Sequence, residues 1–266
     1  MTTLRDKIIW ITGATSGIGE QLVYACALED AKIVLSARRV EEMERVARAA
    51  NLSEGRYLIV PLDLSDNKGY SSQVKAVMDK FGQVDVLINN GGISQRSMAR
   101  DTAVEVDREL MEVNFFGTVA LSKAVLPSML ARKSGMLVAV SSAVGKFGSP
   151  WRSGYSASKH ALHGFFDSLR AECYDDGLRV LIVCPGFVST NITMNALTAT
   201  GAPLRSMDSA TGNGLKADYT AAQIVSAIKS EKEEIVIGGF KENLGVWMKQ
   251  HFPSIFSIMI RRMAVR

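Results

Sequence analysis

Seven short apolar runs alternate with longer segments of helical periodicity along most of the chain, and this alternation restricts the fold more than any other feature. A strand, a helix and a second strand in succession form a parallel unit, because parallel neighbours need a long crossover connection. Residues 180–184, Val-Leu-Ile-Val-Cys, are apolar throughout, which is typical of a central strand covered on both faces. The sequence therefore predicts an α/β fold, a doubly wound parallel sheet of about seven strands flanked by helices.

The predicted strands are residues 8–12, 32–37, 57–61, 84–89, 136–140, 180–184 and 234–238, and the predicted helices are 17–29, 41–50, 68–81, 104–132, 153–174 and 220–230. No internal repeat or low-complexity linker divides these elements. A chain of 266 residues with 47% apolar composition can fill one large core. We therefore predict a single domain over residues 1–266.

Charge and cysteine content exclude several classes of function. The 31 basic and 27 acidic residues are spread along the chain, and no basic run resembles a nucleic-acid footprint. Cys26, Cys173 and Cys184 are isolated in apolar segments, which favours reduced thiols. The three histidines, His160, His163 and His251, show no spacing typical of a zinc site. We expect no nucleic-acid partner and no metal.

The apolar run at residues 8–11 lies close to the N-terminus, which leaves no room for a signal peptide before it. No window approaches the ~18 apolar residues of a spanning helix. The sequence therefore predicts a soluble, cytoplasmic protein without a membrane-spanning segment.

Polar and glycine-rich clusters directly follow four of the predicted strands, at residues 12–19, 89–92, 141–142 and 185–186. In open parallel sheets, ligands bind beyond the carboxyl ends of the strands. In the first cluster, Gly13, Gly17 and Gly19 stand between a strand and a helix, where small residues let backbone N–H groups approach a pyrophosphate. This cluster predicts a dinucleotide site, although a merely tight turn would use the same residues.

Tyr155 and Lys159 are four residues apart and share one face of a predicted helix. A free tyrosine has a pKa of about 10, and a neighbouring ammonium favours the phenolate. The pair is therefore a candidate acid or base for chemistry on a carbonyl. An ordinary surface pair on a helix is the alternative.

The chain resembles the short-chain dehydrogenase/reductase family, in which the first turn reads Thr-Gly-x3-Gly-x-Gly, as in residues 12–19, and a Tyr-x3-Lys pair occurs, as at Tyr155 and Lys159. Residues 89–92 read Asn-Asn-Gly-Gly, where the family more often has Asn-Asn-Ala-Gly. Residues 146–172 and the tail are most similar to the dehydrogenase/reductase member 7-like branch. The resemblance implies a Rossmann-type fold and an oxidoreductase, a carbonyl reductase that interconverts a ketone or aldehyde and an alcohol.

The resemblance also implies roles for four residues. Ser142 lies thirteen residues before Tyr155, the separation expected for the catalytic serine, with Ser141 as the rival. Tyr155 would be the general acid or base, and Lys159 would lower its pKa and bind the nicotinamide ribose. Asn114 would hold a water linking Lys159 to solvent, although an asparagine side chain within a helix can also bond to nearby backbone.

The end of the second strand bears on cofactor choice. NAD-binding folds place an acid there on the ribose 2′-hydroxyl, whereas this chain has Ala37 followed by Arg38 and Arg39. A guanidinium fork suits a 2′-phosphate. We therefore expect NADP(H), with NAD(H) as the alternative. The competing structural explanation is that these arginines are only the solvated start of the next helix.

By resemblance, Asp63 would bond the adenine, Asn90 and the adjoining glycines would line the ribose, and Val188 and Thr190 would contact the nicotinamide amide and the phosphate. Asp63 could equally cap the following turn. The full set of expected cofactor contacts is Gly13, Thr15, Ser16, Gly17, Ile18, Gly19, Arg38, Arg39, Asp63, Leu64, Asn90, Gly91, Gly92, Tyr155, Lys159, Pro185, Gly186, Val188 and Thr190.

Two segments carry the remaining expectations. Residues 190–218 are weakly periodic and rich in small residues, as in a substrate lid. An apolar pocket of Ile93, Phe147, Trp151, Met194 and Leu197 would favour a hydrophobic substrate. Residues 240–266 form a helical extension with one apolar stripe up to His251 and apolar residues nearly all round after Pro253. It would pack on another subunit or, as the alternative, make peripheral membrane contact. The resemblance implies a homodimer or homotetramer. A silent dinucleotide-binding sensor or scaffold, or an NAD-preferring alcohol dehydrogenase, is the alternative to this function.

Overall fold

Seven parallel strands form one sheet in the computed structural model, which describes residues 2–66 and 69–261. The strand order is β3-β2-β1-β4-β5-β6-β7. The chain adds β2 and β3 on one side of β1 and then adds β4 to β7 on the other side, as in a doubly wound sheet. The predicted fold class is confirmed. The strands are β1 (Ile8–Thr12), β2 (Lys32–Ser36), β3 (Tyr57–Ile59), β4 (Val86–Asn89), β5 (Gly135–Val140), β6 (Leu178–Pro185) and β7 (Glu234–Ile237).

The helices cover both faces of this sheet. They are α1 (Gly17–Leu28), α2 (Val40–Ala49), α3 (Ser71–Phe81), α4 (Val104–Met111), α5 (Gly117–Ala131), α6 (Ser153–Cys173), α7 (Ser209–Gly212), α8 (Ala217–Lys229), α9 (Phe240–His251) and α10 (Pro253–Ile260). The helix predicted from residue 68 begins at Ser71, and residue 68 itself lies outside the described ranges. The final tail residues, 262–266, lie outside them as well.

Alternate residues of β1 serve two separate cores. Ile9 and Ile11 pack with α1, α2 and α8 on one face of the sheet. Ile8 and Trp10 pack on the other face with residues of α3, α5 and α6. The Trp10 indole is fully buried, and its Nε1 donates to Ser36 Oγ at 2.8 Å. Burial on both faces explains why the strand is apolar without interruption.

The helix predicted over 104–132 is continuous but contains one π-helical turn, Glu112–Phe116, between α4 and α5. The whole helix, Val104–Ala131, is long enough to cross a membrane, and an 18-residue window within it has a mean hydropathy of 1.3. The expectation that no window of the chain approaches the apolar composition of a spanning helix was therefore wrong. The finding is weak evidence for a membrane span, because a helix that packs against the core of a globular fold passes the same test.

The loops that position the site leave the carboxyl ends of the strands. Because the strands are parallel, the loops after β1, β4, β5 and β6 meet at one edge of the sheet. The segment between β6 and α8 crosses the same edge and contains α7. It is joined to the loop after β4 by the isolated bridge of Gln95 with Leu197. Helices α9 and α10 follow β7 and pack together beside this edge.

Candidate active site

A groove that is open to solvent and encloses ≈ 2520 Å³ runs along this edge of the sheet. Its wall contains the clusters that the sequence placed after the strands. Of the expected catalytic and cofactor residues, it is lined by Gly13, Thr15, Ser16, Gly17, Ile18, Arg38, Arg39, Asp63, Leu64, Asn90, Gly91, Gly92, Ser142, Tyr155, Lys159, Pro185, Gly186, Val188 and Thr190. Gly19 and Asn114 are not in this wall and lie behind it.

The glycine-rich turn after β1 is closely packed against the turn after β4. Gly13 and Gly17 have φ values of 65° and 56°, a region that favours glycine. A Cβ on Gly13 would lie 2.8 Å from Gly91 Cα, and one on Gly19 would lie 2.0 Å from Gly13 O. Only glycines leave the backbone free to approach a ligand here. The N-terminus of α1 at Gly17 opens into the groove, so the turn fits a pyrophosphate.

Asn90 braces this turn through its side chain. Its Nδ2 donates to Thr12 O at 3.0 Å, and the backbone N–H groups of Asn90 and Gly91 both donate to Thr12 Oγ1 at 3.0 Å. The expected contact of Asn90 with a ribose therefore stays a prediction. The structural role of Asn90 is to join the loops after β1 and β4.

Arg38, Arg39 and Asp63 lie at the end of the groove beyond β2 and β3. Both arginines are exposed, and neither forms a salt bridge within the described ranges. Asp63 Oδ1 accepts from Ser65 N at 2.9 Å and from Ser65 Oγ at 2.8 Å, so this carboxylate does cap the following turn. Burial acts to raise the Asp63 pKa, but the bonds from Ser65 and the charge of Arg38 outweigh it, and the pKa is lowered.

Tyr155 and Ser142 both line the groove, and a hydrogen bond joins their side chains. Tyr155 is in the first turn of α6, and its backbone N–H donates to Gln95 Oε1 at 3.1 Å. Ser142 follows β5, and its Oγ donates to Pro185 O at 3.3 Å and accepts from Val144 N. The hydroxyl of Ser141 bonds to α6 instead, because its Oγ donates to Lys159 O at 3.1 Å. This geometry favours Ser142 over Ser141 as the groove-facing hydroxyl.

Burial raises the pKa of Tyr155 above its ordinary value. The positive charge of Arg152, a hydrogen bond with Ser142 and the positive charge of Arg96 act in the opposite direction. Sequence reasoning assigned this lowering to Lys159. In the structure the groups that lower the Tyr155 pKa are the two arginines and the serine, and the effect of Lys159 stays a prediction.

Lys159 lies one helical turn beyond Tyr155. Its Nζ donates to Val140 O at 2.8 Å and lies 5.8 Å from the centroid of the Tyr155 ring. Burial lowers the pKa of Lys159 to about 8. Its charge is therefore present below that pH and is lost as the pH rises through it.

Asn114 occupies the π-helical turn and is fully buried. Its Oδ1 accepts from Ile93 N at 2.8 Å, and its Nδ2 donates to Ile93 O at 3.0 Å and to Ser158 Oγ at 2.9 Å. The side chain therefore fixes the loop after β4 to α6. The π turn costs helical hydrogen bonds, and π turns often occur at functional sites. A water bound between Asn114 and Lys159 stays a prediction.

Sequence reasoning missed several residues of the site. Arg152 and Phe187 line the groove, and Arg96 forms a buried ion pair with Asp208 at 2.6 Å. Arg152 is close to the Tyr-x3-Lys pair, but an arginine before a helix gives no signal of burial. The other partners come from distant loops, which only the fold brings together.

A smaller apolar cavity opens beside Ser142 and Arg152. Val144, Phe147, Phe256 and Met259 supply its apolar wall. The rings of Phe147 and Phe256 lie 5.1 Å apart. Phe147 was expected in an apolar pocket, and Ile93 and Leu197 line the larger groove, whereas Trp151 and Met194 line neither. The tail, for which we expected another subunit or lipid, also contributes part of this cavity.

The fold also assembles a cluster of ligand-type side chains that the spacing of the histidines in the sequence does not reveal. His163, Cys184 and Glu234 place ligand-type atoms within 4.8 Å of one another, although they are far apart in sequence. Glu234 also pairs with Lys146, and burial raises the pKa of the Cys184 thiol to about 12. These contacts give the cluster a structural role, and the expectation of no metal stays a prediction. We interpret the cluster as a polar junction between α6, β6 and β7.

Known proteins resemble this chain in sequence and in fold. The sequence profile of the short chain dehydrogenase family matches residues 7–200. The "Dehydrogenase/reductase SDR family protein 7-like" of Anopheles gambiae is 43% identical over 98% of this chain and 84% of its own length.

Two solved structures share the fold. An alcohol dehydrogenase from Thermococcus sibiricus, complexed with 5-hydroxy-NADP, is 26% identical over 89% of this chain and 97% of its own, with a TM-score of 0.77. A short chain dehydrogenase/reductase from Burkholderia phymatum, in complex with NAD, is 21% identical over 100% and 99% of the two chains, with a TM-score of 0.84, and shows the fold alone. The chain belongs to the short-chain dehydrogenase/reductase family, is similar to its member 7-like proteins, and is an oxidoreductase.

Proposed function

We propose that this protein is an NADP(H)-dependent oxidoreductase that interconverts a hydrophobic ketone or aldehyde and the corresponding alcohol. The observation that carries the proposal is the position of the Tyr155 phenol. It lines the groove that fits a dinucleotide, and beside it is the hydroxyl of Ser142, a residue that lines both this groove and the apolar cavity. Two hydroxyl groups at such a junction can bind one carbonyl oxygen.

The chain's own residues would perform the proton transfer. When bound, the nicotinamide supplies the hydride for reduction. Ser142 Oγ–H and Tyr155 O–H donate hydrogen bonds to the carbonyl oxygen, and Tyr155 then gives up its proton to the developing alkoxide. The positive charges of Arg152 and Arg96 favour the phenolate that results. Pro185 and Gly186 line the groove, and their small bulk would let a flat nicotinamide ring pack against them.

A Tyr155→Phe variant tests the proton transfer. The ring keeps its packing while the proton is removed, so we expect turnover of ketones to fall about 10²- to 10⁴-fold. Binding of NADPH, followed by nicotinamide fluorescence, should stay within a factor of about 3, since a fold-change of that size is under about 1 kcal/mol. Near wild-type turnover by the variant would rule out Tyr155 as the acid. Tight NADPH binding by the wild type without turnover of any carbonyl compound would instead support a dinucleotide-binding sensor.

Preference for NADP(H) is proposed from Arg38 and from Ala37 at the position where NAD-binding folds carry an acid. The exposed guanidinium lies in the groove wall beside Asp63 and has no salt-bridge partner among the described residues. Of the two solved neighbours, one holds an NADP derivative and the other NAD, so the choice depends on this chain's own residues.

An Arg38→Ala variant tests this preference. Loss of a charge-assisted bond to the 2′-phosphate should weaken NADPH binding about 10- to 100-fold and leave NADH binding nearly unchanged. Arg48→Ala is a matched control, because Arg48 is an exposed arginine of α2 that does not line the groove. Equal weakening of both cofactors by Arg38→Ala would contradict the proposal.

The surroundings of the site suggest the remaining properties. The apolar cavity favours a substrate with a hydrophobic part, and residues 190–218 cross the groove as a lid would. We propose that the lid and the tail select the substrate. We also propose a cytoplasmic homodimer or homotetramer, with the exposed apolar face of the tail as a surface for a second subunit or for lipid.

A further inference from the structure

Arg152 is an unusual residue for the wall of an apolar cavity. It immediately precedes α6, three residues before Tyr155, and only 6% of its surface is exposed. Its Nε and Nη2 atoms are buried, and neither has a hydrogen-bond partner among residues 2–66 and 69–261. Leaving a buried guanidinium unpaired is costly, because charged groups lose their hydration.

The acids near Arg152 do not neutralise it. Asp208 is committed to Arg96, which donates to its Oδ2 at 2.6 and 3.1 Å, and Asp208 Oδ1 accepts from Thr211 N. The buried Oδ1 of Asp107 also lacks a partner, but no salt bridge joins it to Arg152 within the described chain. The guanidinium instead lies over the Phe187 ring, 4.8 Å from its centroid.

The backbone around Arg152 holds it in this position. Trp151 O accepts from Ser97 N at 3.1 Å, and Arg152 O accepts from Ser156 N at 2.7 Å. Trp151 has a φ of 69°, which a bulky residue adopts only where its surroundings require it. The position is therefore built into the fold, and is not a surface side chain that has folded inward.

The position of Arg152 in the walls of two cavities indicates the kind of ligand that it can bind. Arg152 lines both the cofactor groove and the apolar cavity, and Ser142 lines both as well. The other charged residues of the cavity wall, Lys241 and Glu242, have opposite signs. Near the reacting groups, Arg96 is paired with Asp208 and Lys159 Nζ donates to Val140 O, whereas Arg152 forms no salt bridge with the described residues. Its planar fork matches a carboxylate or a phosphate.

We propose that Arg152 binds an oxyanion group, a carboxylate or a phosphate, that is part of the carbonyl substrate, while the apolar part of the substrate occupies the cavity of Val144, Phe147, Phe256 and Met259. The proposal rests on the proposed function and narrows its substrate class to amphipathic oxo acids or oxo phosphates. The competing explanation is that Arg152 acts only on Tyr155, by favouring its phenolate.

Matched substrates separate these explanations. The probes are medium-chain oxo acids, with the ketone at varying distance from the carboxylate, and their methyl esters. We expect the wild type to prefer at least one acid over its ester, and Arg152→Met to lower kcat/KM for that acid about 10- to 100-fold more than for the ester. An equal loss for acid and ester would overturn the proposal and leave Arg152 as a positioning residue for the Tyr155 proton. Arg100→Met is the control, because Arg100 is an exposed arginine outside both cavities.

A binding measurement makes the test independent of turnover. Calorimetry on the NADPH-loaded protein would compare heptanoate and heptyl phosphate with heptanamide, which lacks the charge. We expect one of the anions to bind about 10-fold or more tightly than the amide in the wild type and to lose that advantage in Arg152→Met. Anion binding without carbonyl reduction would contradict the proposed function and leave the anion site standing. Reduction of neutral ketones with no anion preference in either assay would support the proposed function and contradict the anion site.

Discussion

Gly92 shows how one absent side chain shapes the site. A Cβ at this position would lie 2.8 Å from Asn114 Oδ1 and 3.5 Å from Lys159 Nζ. Real Cβ atoms do not approach an oxygen at the first of these distances, so one of the neighbours would have to move. Asn114 cannot move freely, because it holds the loop after β4 through both atoms of its amide. Gly92 therefore maintains the space between the amide of Asn114 and the ammonium of Lys159.

We predict that Gly92→Ala lowers kcat/KM for reduction about 10- to 100-fold, because a clash costing about 1–3 kcal/mol must be relieved by displacing Asn114 or Lys159. Gly164→Ala is the matched control on α6, where nothing lies within 4 Å of an added Cβ. It should leave kcat/KM unchanged and stabilise the protein by about 0.5–1 kcal/mol. Steady-state kinetics and denaturant unfolding give both readouts, and unchanged kinetics in Gly92→Ala would contradict the crowding argument.

The junction between α6 and the carboxyl-terminal strands depends on a neutral histidine. His163 of α6 contacts Ser141 Oγ at 3.1 Å, and Cys184 Sγ lies 3.7 Å from the same Nε2. Burial lowers the pKa of His163 to about 4, and the charge of Lys146 adds to this effect. Glu234 and Asp167 act in the opposite direction without reversing it. Protonation of the imidazole would therefore place a charge inside the junction that aligns α6 with the sheet.

Stability should consequently fall in acid. Between pH 6.5 and 4 the unfolded chain binds a proton at His163 that the folded protein does not, so the free energy of unfolding decreases as the pH falls through this window. We expect a loss of about 1–2 kcal/mol from this residue, after discounting for partial screening by solvent. Denaturant unfolding across this range should show a shallower dependence in His163→Gln, which cannot titrate. His251→Gln changes an exposed histidine and should keep the wild-type slope. Equal slopes in wild type and His163→Gln would show that the junction tolerates the charge.

At the scale of the whole molecule, the tail has two faces. Phe256 is buried against Phe147 and helps to form the apolar cavity. Ile255 and Ile258 are more than half exposed on the same helix, and Trp247 is half exposed on α9. Exposed large apolar side chains, where they cluster, mark interaction sites. The tail would therefore connect the proposed substrate cavity to the surface proposed for a second subunit or for lipid.

Two substitutions in α10 should separate these functions. Phe256→Ala removes part of the cavity wall, so KM for hydrophobic ketones should rise about 5- to 10-fold, since part of an aromatic contact worth about 1.5–3 kcal/mol is lost. Ile258→Ser should leave KM unchanged and alter the oligomer mass in light scattering or the binding to anionic vesicles. Deletion of residues 253–266 should produce both effects. If Ile258→Ser changed neither mass nor vesicle binding, this face of the tail would have no role in association.

Local chemistry made much of this protein readable from its sequence. Unbroken apolar runs such as that of β6 show burial on both faces, and the order of strands and helices then fixes a parallel sheet with its ligands at one edge. The glycines after β1 and the i,i+4 pair of Tyr155 and Lys159 can be recognised from a few neighbouring residues of the sequence. Their roles in binding and catalysis follow from spacing and family resemblance, and stay predictions until tested.

The tertiary structure decided what depends on residues far apart in the chain. It buried Arg152 without a salt bridge to any residue that the structure describes, used Asn114 to hold the loop after β4, and brought His163 to Cys184 and Glu234. It also placed Phe256 against Phe147 across more than a hundred residues. Burial, desolvation and the choice of hydrogen-bond partner are properties of surroundings assembled from several elements. A sequence pattern records which side chains are present, whereas only the packed fold decides which charges remain without a partner.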